Sequence, residues 1–314
     1  MDRPTLDDAF EKLRWATHHF EILRPQIEAF EQRDAHRINV SIDTDAGEYA
    51  FSVHDLEEPH PDWGLIIGDC IHNARTALDY TFVRLWAIAT GEDPATVQRK
   101  DIQFPIYGPD PHNPDGDAAF ATARKQFASA TGEMRKEAMF SGYLARVEEL
   151  QPFNQWNRSI WGIPDTGLPR PAGLPSALDR LSRLDNIDKH RVPHAAWTAI
   201  NVFGGPSIDT LAPADFKGFG GSTSYAPLKN DAEIATCRFN TPLPQEWHPT
   251  EMDMKRCFPL QVAFGEPSPF QGVLEVLPLC LWGVESVLTI FEPVFRTPGS
   301  KPPLPVTSIA EPRM

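Results

Sequence analysis

The feature that most constrains this chain is an uninterrupted helical pattern running from about Asp62 to Thr90. Ile71, Ala74, Leu78, Phe82 and Leu85 recur at intervals of three and four, which puts an apolar stripe along one face. Gly91 suits a left-handed C-terminal cap, and Pro94 cannot continue the helix. A helix of this length runs the length of a domain, so other elements must pack along it.

The elements around it fall into two kinds. Leu6, Phe10, Leu13, Phe20, Ile27 and Phe30 mark an amphipathic first helix, with Thr5 and Asp8 resembling a capping box; Pro25 is expected to kink or split it. Ile38, Val40 and Ile42, then Tyr49, Phe51 and Val53, alternate with polar residues on either side of Thr44-Asp-Ala-Gly47, the pattern of a β-hairpin. After a Pro/Asp/Gly loop over 101–116, helical stretches are expected around Ala118–Ser129 and Glu133–Leu150. An ordered crossing loop over 151–175 follows, carrying Trp156 and Trp161. Ser176-Ala-Leu-Asp179 reads as a capping box opening a helix to about Arg191, which Pro193 ends.

Beyond that point the character changes. Trp197–Phe203, Ile234–Phe239 and Phe258–Phe264 read as strands, Gly218-Phe-Gly-Gly221 as a turn, and Gln271–Phe291 as a helix. The fold class expected is therefore α+β. A mainly helical domain spans 1–195 with its hairpin at about 37–54. A strand-rich portion spans 196–296 and ends in a buried helix, and 297–314 is a Pro-rich tail expected to be disordered.

Composition narrows the partners. With 29 basic and 43 acidic side chains the formal net charge is −14, which repels a phosphate backbone at long range. DNA is disfavoured, and RNA or a nucleotide requires a local basic cluster. Cys70, Cys237, Cys257 and Cys280 are widely spaced without a C-x-x-C pair, which fits a reducing compartment. The N-terminus has no basic start followed by an apolar run, so a cytoplasmic location is expected. Val273–Phe291 approaches the length of a membrane span but contains Glu275, Pro278 and Glu285, so it reads as a core helix and no membrane partner is expected.

Two segments concentrate chemistry. On the long helix His72, Arg75 and Asp79 share a face at spacings of three and four, with Asn73, Thr76 and Tyr80 on the neighbouring strip. On the later helix Leu178, Leu181, Leu184 and Ile187 form the apolar face, while Arg183, Asn186 and His190 stack on one polar strip. Asp185 can pair with Lys189, and Asp188 with Arg191. Basic side chains in a last turn also complement the helix dipole, which by itself accounts for Lys189, His190 and Arg191. An ordinary solvated ion-paired face accounts equally for Arg75 with Asp79.

These segments, His72-Asn-Ala-Arg-Thr-Ala-Leu-Asp-Tyr80 and Asn186-Ile-Asp-Lys-His-Arg191, resemble the signature of a bacterial protein family of unknown function. The first is also similar to the Arg-x4-6-His motif of HEPN helical domains, many of them ribonucleases of toxin and phage-defence systems. The resemblance implies a core of antiparallel helices, a homodimer and metal-independent RNA cleavage. Arg75 would stabilise the transition state, and His72 or His190 would move the proton. Where the pattern has a second histidine this chain has Tyr80, a poor base at neutral pH.

Two readings follow. One is a ribonuclease built on Arg75, His72 and His190. The other is a structural or binding module in which His72, Arg75, Asp79, Asn186, Asp188 and His190 tie two helices together, with Asn73, Tyr80, Arg183, Lys189 and Arg191 beside them. The sequence favours the second on its acidic charge and on Tyr80. No P-loop, dinucleotide fingerprint or HExxH motif is present, so no cofactor is expected. His54, Asp55, His60 and Asp62 are scattered loop groups rather than metal ligands.

Overall fold

A computed structural model describes residues 4–33, 36–43, 48–95, 102–109, 116–154, 174–190, 195–199, 216–220, 228–239, 260–264 and 272–296. The architecture is α+β: α1 (Asp7–Glu31), β1 (Arg37–Asp43), β2 (Glu48–His54), α2 (Asp62–Thr90), α3 (Gly116–Thr131), α4 (Ala138–Glu149), α5 (Leu174–His190), β3 (Ala195–Ala199), β4 (Phe216–Gly220), β5 (Glu233–Phe239), β6 (Leu260–Phe264) and α6 (Val273–Phe295). The chain forms two compact units, each assembled from separate stretches. One comprises Met1–Glu21, Ile66–Val192 and Glu275–Met314; the other comprises Ile22–Leu65 and Pro193–Leu274. The hairpin β1–β2 thus belongs with the later strands, and nearly all of α6 with the helices.

The helical unit is organised around α2. Ile67, Cys70, Ile71, Ala74, Ala77, Leu78, Phe82, Leu85 and Trp86 are all buried, as the stripe requires. Burial of each large member contributes about 1.5–3 kcal/mol. Phe82 meets Phe104 and Phe140 edge-on, at 5.9 and 5.3 Å between ring centres. Gly91 has φ +76° and its N–H donates to Ala87 O at 2.9 Å, the left-handed stop that the sequence implied. On α5 Ala177, Leu178, Leu181 and Leu184 are buried. Helix α6 is apolar and long enough to cross a membrane. Val276, Leu277, Cys280, Leu281, Val284, Val287, Leu288 and Phe291 are buried within the protein, the pattern of a core helix.

In the strand-rich unit β1 and β2 pair antiparallel from Arg37↔His54 to Asp43↔Glu48. The four-stranded order is β1-β2-β5-β4, and β3 pairs separately with β6. Tyr49, Phe51 and Val53 lie on the covered face of β2, while Glu48, Ala50, Ser52 and His54 lie on the other. Phe30 stacks on Trp197 at 4.8 Å and meets Trp63 edge-on at 5.2 Å.

Several expectations are corrected. Helix α1 runs through Pro25 unbroken; the amide of Gln26 donates to Ile22 O at 3.0 Å in the turn that the proline loosens. Thr5 bonds Asp7 at 2.9 Å rather than forming a box with Asp8, which pairs with Arg84 at 2.6 Å. The stretch 133–150 is divided, because Glu137 is extended (ψ 109°) between a short 3-10 turn at Met134–Lys136 and α4. Helix α5 begins at Leu174, not Ser176, and Asp179 turns to Arg183 instead of back to the helix start. Gly218-Phe219-Gly220 lies in strand β4, held by β5 with Gly218 opposite Arg238. Helix α6 continues past Phe291 to Phe295, taking Pro293 inside it. The hairpin turn 44–47, most of the crossing loop with Trp156 and Trp161, and the tail 297–314 lie outside the described residues.

Candidate functional site

Helices α2 and α5 and the extended segment 102–109 enclose a cavity of about 260 Å³, lined among others by Arg75, Phe104, Tyr107, Asp185, Asn186 and Lys189. The segment has no strand partner, so its backbone polar groups must find side chains. Phe104 N–H donates to Asp79 Oδ1 at 2.9 Å and Phe104 O accepts from Arg75 Nη2 at 2.6 Å. Gln151, fully buried, donates through Nε2 to Pro105 O at 2.7 Å, and its Oε1 accepts Tyr107 N–H at 3.0 Å. Arg183 Nη2 donates to Pro109 O at 3.0 Å, while its Nε bonds Asp179 at 2.8 Å. Gly108 leaves room for the Asp179 carboxylate, which would sit 1.9 Å from a Cβ at that position. Five side chains from three helical regions therefore strap the segment over the cavity.

Arg75 is the hinge of the arrangement. Its side chain is 11% exposed, and Nη2 lies 3.0 Å from Asp79 Oδ1. Its Nε points toward Asp185 Oδ2 at 4.0 Å, within ionic attraction but beyond hydrogen-bond length. Asp185 is 5% exposed, and that same Oδ2 accepts from Lys189 Nζ at 2.7 Å. Arg75 Nε and Asp185 Oδ1 are both buried and have no hydrogen-bond partner among the described residues. Such atoms cost about 1–3 kcal/mol each and call for an explanation. Burial pushes the Asp79 carboxyl above its ordinary value, against the pull of Arg75 and the Phe104 N–H. Burial raises Asp179 as well, with Arg183 opposing.

The other sequence candidates are distributed around this centre. His72 is exposed and does not line the cavity; it lies near Asp188, whose carboxyl is raised by burial and partly restored by His72. Asp188 packs over Gly68, where a Cβ would come within 2.4 Å of Oδ1. His72 thus faces Asp188 rather than the cavity that Arg75 lines. Asn73 accepts from Lys12 at 3.1 Å and donates to Asp69 O at 2.8 Å, a tie between α2 and α1. Tyr80 is 39% exposed and is not among the lining residues. Asn186 and Lys189 line the cavity, whereas Arg183 lies at the strap. His190 closes α5, and its side chain, like Arg191, lies outside the described residues.

Asp185 is the member that the polar-strip reading missed. It falls four residues after Leu181 and seven after Leu178, on the apolar stripe itself, and an acid at that register was the available signal. Among the described residues no cluster of three or more His, Cys, Asp or Glu is arranged to hold a metal ion. His54 and His60 make separate contacts, with Asp231 and Asp62 respectively. Comparisons with protein-family models, curated proteins and solved structures find no match to this chain.

Proposed function

We propose that the cavity binds a small, planar, uncharged ligand whose edge presents a hydrogen-bond acceptor beside a donor, as the amide edge of a nucleobase does. The protein is then a binding module. The observation that carries this reading is a pair of buried groups on two lining residues that meet no partner among the described residues: Arg75 Nε–H needs an acceptor and Asp185 Oδ1 needs a donor. Tyr107, half-buried, contributes aromatic surface for a flat molecule, with Phe82 and Phe104 packed behind the wall. The volume lies just below the usual range of roughly 300–1,000 Å³, which favours a small compound. Charge balance speaks against a phosphodiester, since Arg75 and Lys189 are matched by Asp79 and Asp185.

The alternative is a HEPN-like metal-independent ribonuclease, supported by the motif resemblance and by an arginine at a cavity. It needs Arg75 free to meet a developing negative charge. Its Nη2 is instead committed to Asp79 and to Phe104 O, and no described histidine lines the cavity.

Calorimetric titration of the full chain with neutral nucleobases, nucleosides and carboxamides tests the proposal. Saturable binding of at least one, lost in Asp185→Ala, is expected. Absence of binding across the panel, or binding indifferent to Asp185→Ala, overturns it. RNA cleavage by wild type that disappears in a folded Arg75→Ala variant would establish the alternative instead.

A further inference from the structure

The strand-rich unit contains a second, unrelated constellation. On the half-buried face of β2, Ser52 Oγ lies 2.9 Å from His54 Nε2. On the other side of the ring His54 Nδ1 lies 2.6 Å from Asp231 Oδ1. A carboxylate only accepts, so Nδ1 carries the proton; in the neutral ring Nε2 is then the acceptor, and Ser52 O–H donates to it. That is the order of contacts by which a serine hydroxyl is activated for acyl transfer, and such sets are recognised by geometry and role rather than by position in the chain.

The backbone around the three residues is unusual in ways that a plain sheet face does not require. Pairing of β2 with β5 slips beside Ser52, from Phe51↔Ala235 to Ser52↔Glu233, which leaves Ile234 of β5 as the extra residue of a bulge opposite the Ser52 position. Asp55 and Asp231, the residue after His54 and the triad acid, are the two non-glycine residues with positive φ among the described residues, at +53° and +66°. Each such conformation is disfavoured for a residue with a side chain and persists where surroundings enforce it. The enforcement is visible: Asp231 N–H donates to Val53 O at 2.7 Å, Val53 N–H to Ala232 O at 3.0 Å, and Leu56 N–H to Asn230 Oδ1 at 2.7 Å. Asp231 is thereby fixed against His54 by backbone on both sides. Asp231 is 76% exposed, so its role is to hold the ring and its tautomer rather than to supply a buried charge.

We propose that Ser52 and His54, positioned by Asp231, form a nucleophilic site that takes acyl groups from small activated esters. Ser52 Oγ bonds to the carbonyl carbon as its proton passes to His54 Nε2. The bond from that carbon to the leaving oxygen then breaks, and the proton on Nε2 goes to the departing alkoxide. Water, giving its proton to Nε2, attacks the acyl-Ser52 ester; the carbon–Oγ bond breaks, the proton returns to Oγ, and the free acid leaves. No oxidant or metal takes part.

The test treats the full chain with a fluorophosphonate probe at mildly alkaline pH and maps the adduct by peptide mass spectrometry, alongside hydrolysis of p-nitrophenyl acetate. Covalent labelling at Ser52 is expected, with loss of labelling in Ser52→Ala and a fall of about 10²-fold or more in His54→Gln. In a folded Asp231→Ala variant kcat for p-nitrophenyl acetate is expected to fall with KM little changed, and Asp231→Glu is expected to restore part of it; a purely structural pin would give neither the kcat-selective loss nor the rescue. Folded wild-type protein that shows no Ser52 adduct overturns the proposal. So do ester hydrolysis undiminished in Ser52→Ala and a folded Asp231→Ala variant whose kcat matches wild type.

Discussion

Arg75 Nε and Asp185 Oδ2 face each other at 4.0 Å, close enough to attract and too far apart to share a hydrogen. Asp185 turns that oxygen to Lys189 and leaves the other buried and unused, while Arg75 spends Nη2 on Asp79 and Phe104. A tight bidentate pair would have closed the gap between α2 and α5. The arrangement leaves a buried donor and a buried acceptor without partners among the described residues, at a cost in stability.

Because Arg75 holds both a buried carboxylate and a backbone carbonyl, its removal strands two groups. Arg75→Ala is expected to destabilise the fold by about 3–5 kcal/mol in urea titration, the range for breaking a buried pair from one side. Lys189→Ala should cost under about 1 kcal/mol, since that ammonium is 50% exposed and water can replace it. Equal losses from the two substitutions would contradict the account of Arg75 as the central tie.

Asp79 sets the sign of a pH effect. Its folded carboxyl titrates above the ordinary value of 3.8, so as pH falls the folded state takes up its proton before the unfolded state does. The contribution of Asp79 is therefore unfavourable at neutral pH and is relieved on acidification through the folded pKa toward the unfolded one. Asp79→Asn keeps an oxygen for the Phe104 N–H and removes the titration. The difference in stability between Asp79→Asn and wild type should shrink as pH falls from neutral toward about 4, measured by thermal unfolding at a series of pH values.

The two described free thiols, Cys70 and Cys280, are fully enclosed, and burial is the main cause of their elevated pKa values, with Cys280 pushed up to about 12. A thiol held protonated is a poor nucleophile. Peptides containing Cys70 and Cys280 should therefore resist iodoacetamide in the native protein and react once it is unfolded in urea, as read by mass spectrometry. Rapid native labelling of either would show that α2 or α6 opens far more readily than its packing implies.

What the sequence disclosed and what it hid divide along physical lines. Helix α2 was legible end to end because its stripe, its start at Asp62 and its Gly91 stop are all local signals. The hairpin was legible because alternation at Tyr49, Phe51 and Val53 marks a covered face. Strand β4 was not, since Gly218 and Gly220 mimic a turn and only pairing with β5 makes them extended. Arg75 and Asp79 were found from helical spacing. Asp185 was hidden at an apolar register, and neither Gln151 nor Asp231 shows its role locally, because each acts on a segment distant in sequence.

Gln151 gives the sharpest check on the strap. Among the described residues it is the one side chain that satisfies both a donor and an acceptor of segment 102–109, meeting Tyr107 N–H at 3.0 Å and Pro105 O at 2.7 Å, and it also donates to Val147 O at 3.2 Å. Gln151→Ala leaves the Tyr107 and Pro105 groups without that partner, at about 1–3 kcal/mol each, and should lower stability by about 2–5 kcal/mol. Gln151→Glu preserves the shape but, when ionised, offers only acceptors, so it faces Pro105 O and Val147 O with like partial charges while retaining the bond from Tyr107. Its loss at neutral pH should be at least as large and should diminish on acidification, as protonation restores one donor. Hydrogen exchange supplies the local readout, with the Tyr107 amide losing protection in Gln151→Ala before the amides of α2 do. Protection at Tyr107 that survives the alanine substitution would mean the segment is held by something other than this side chain.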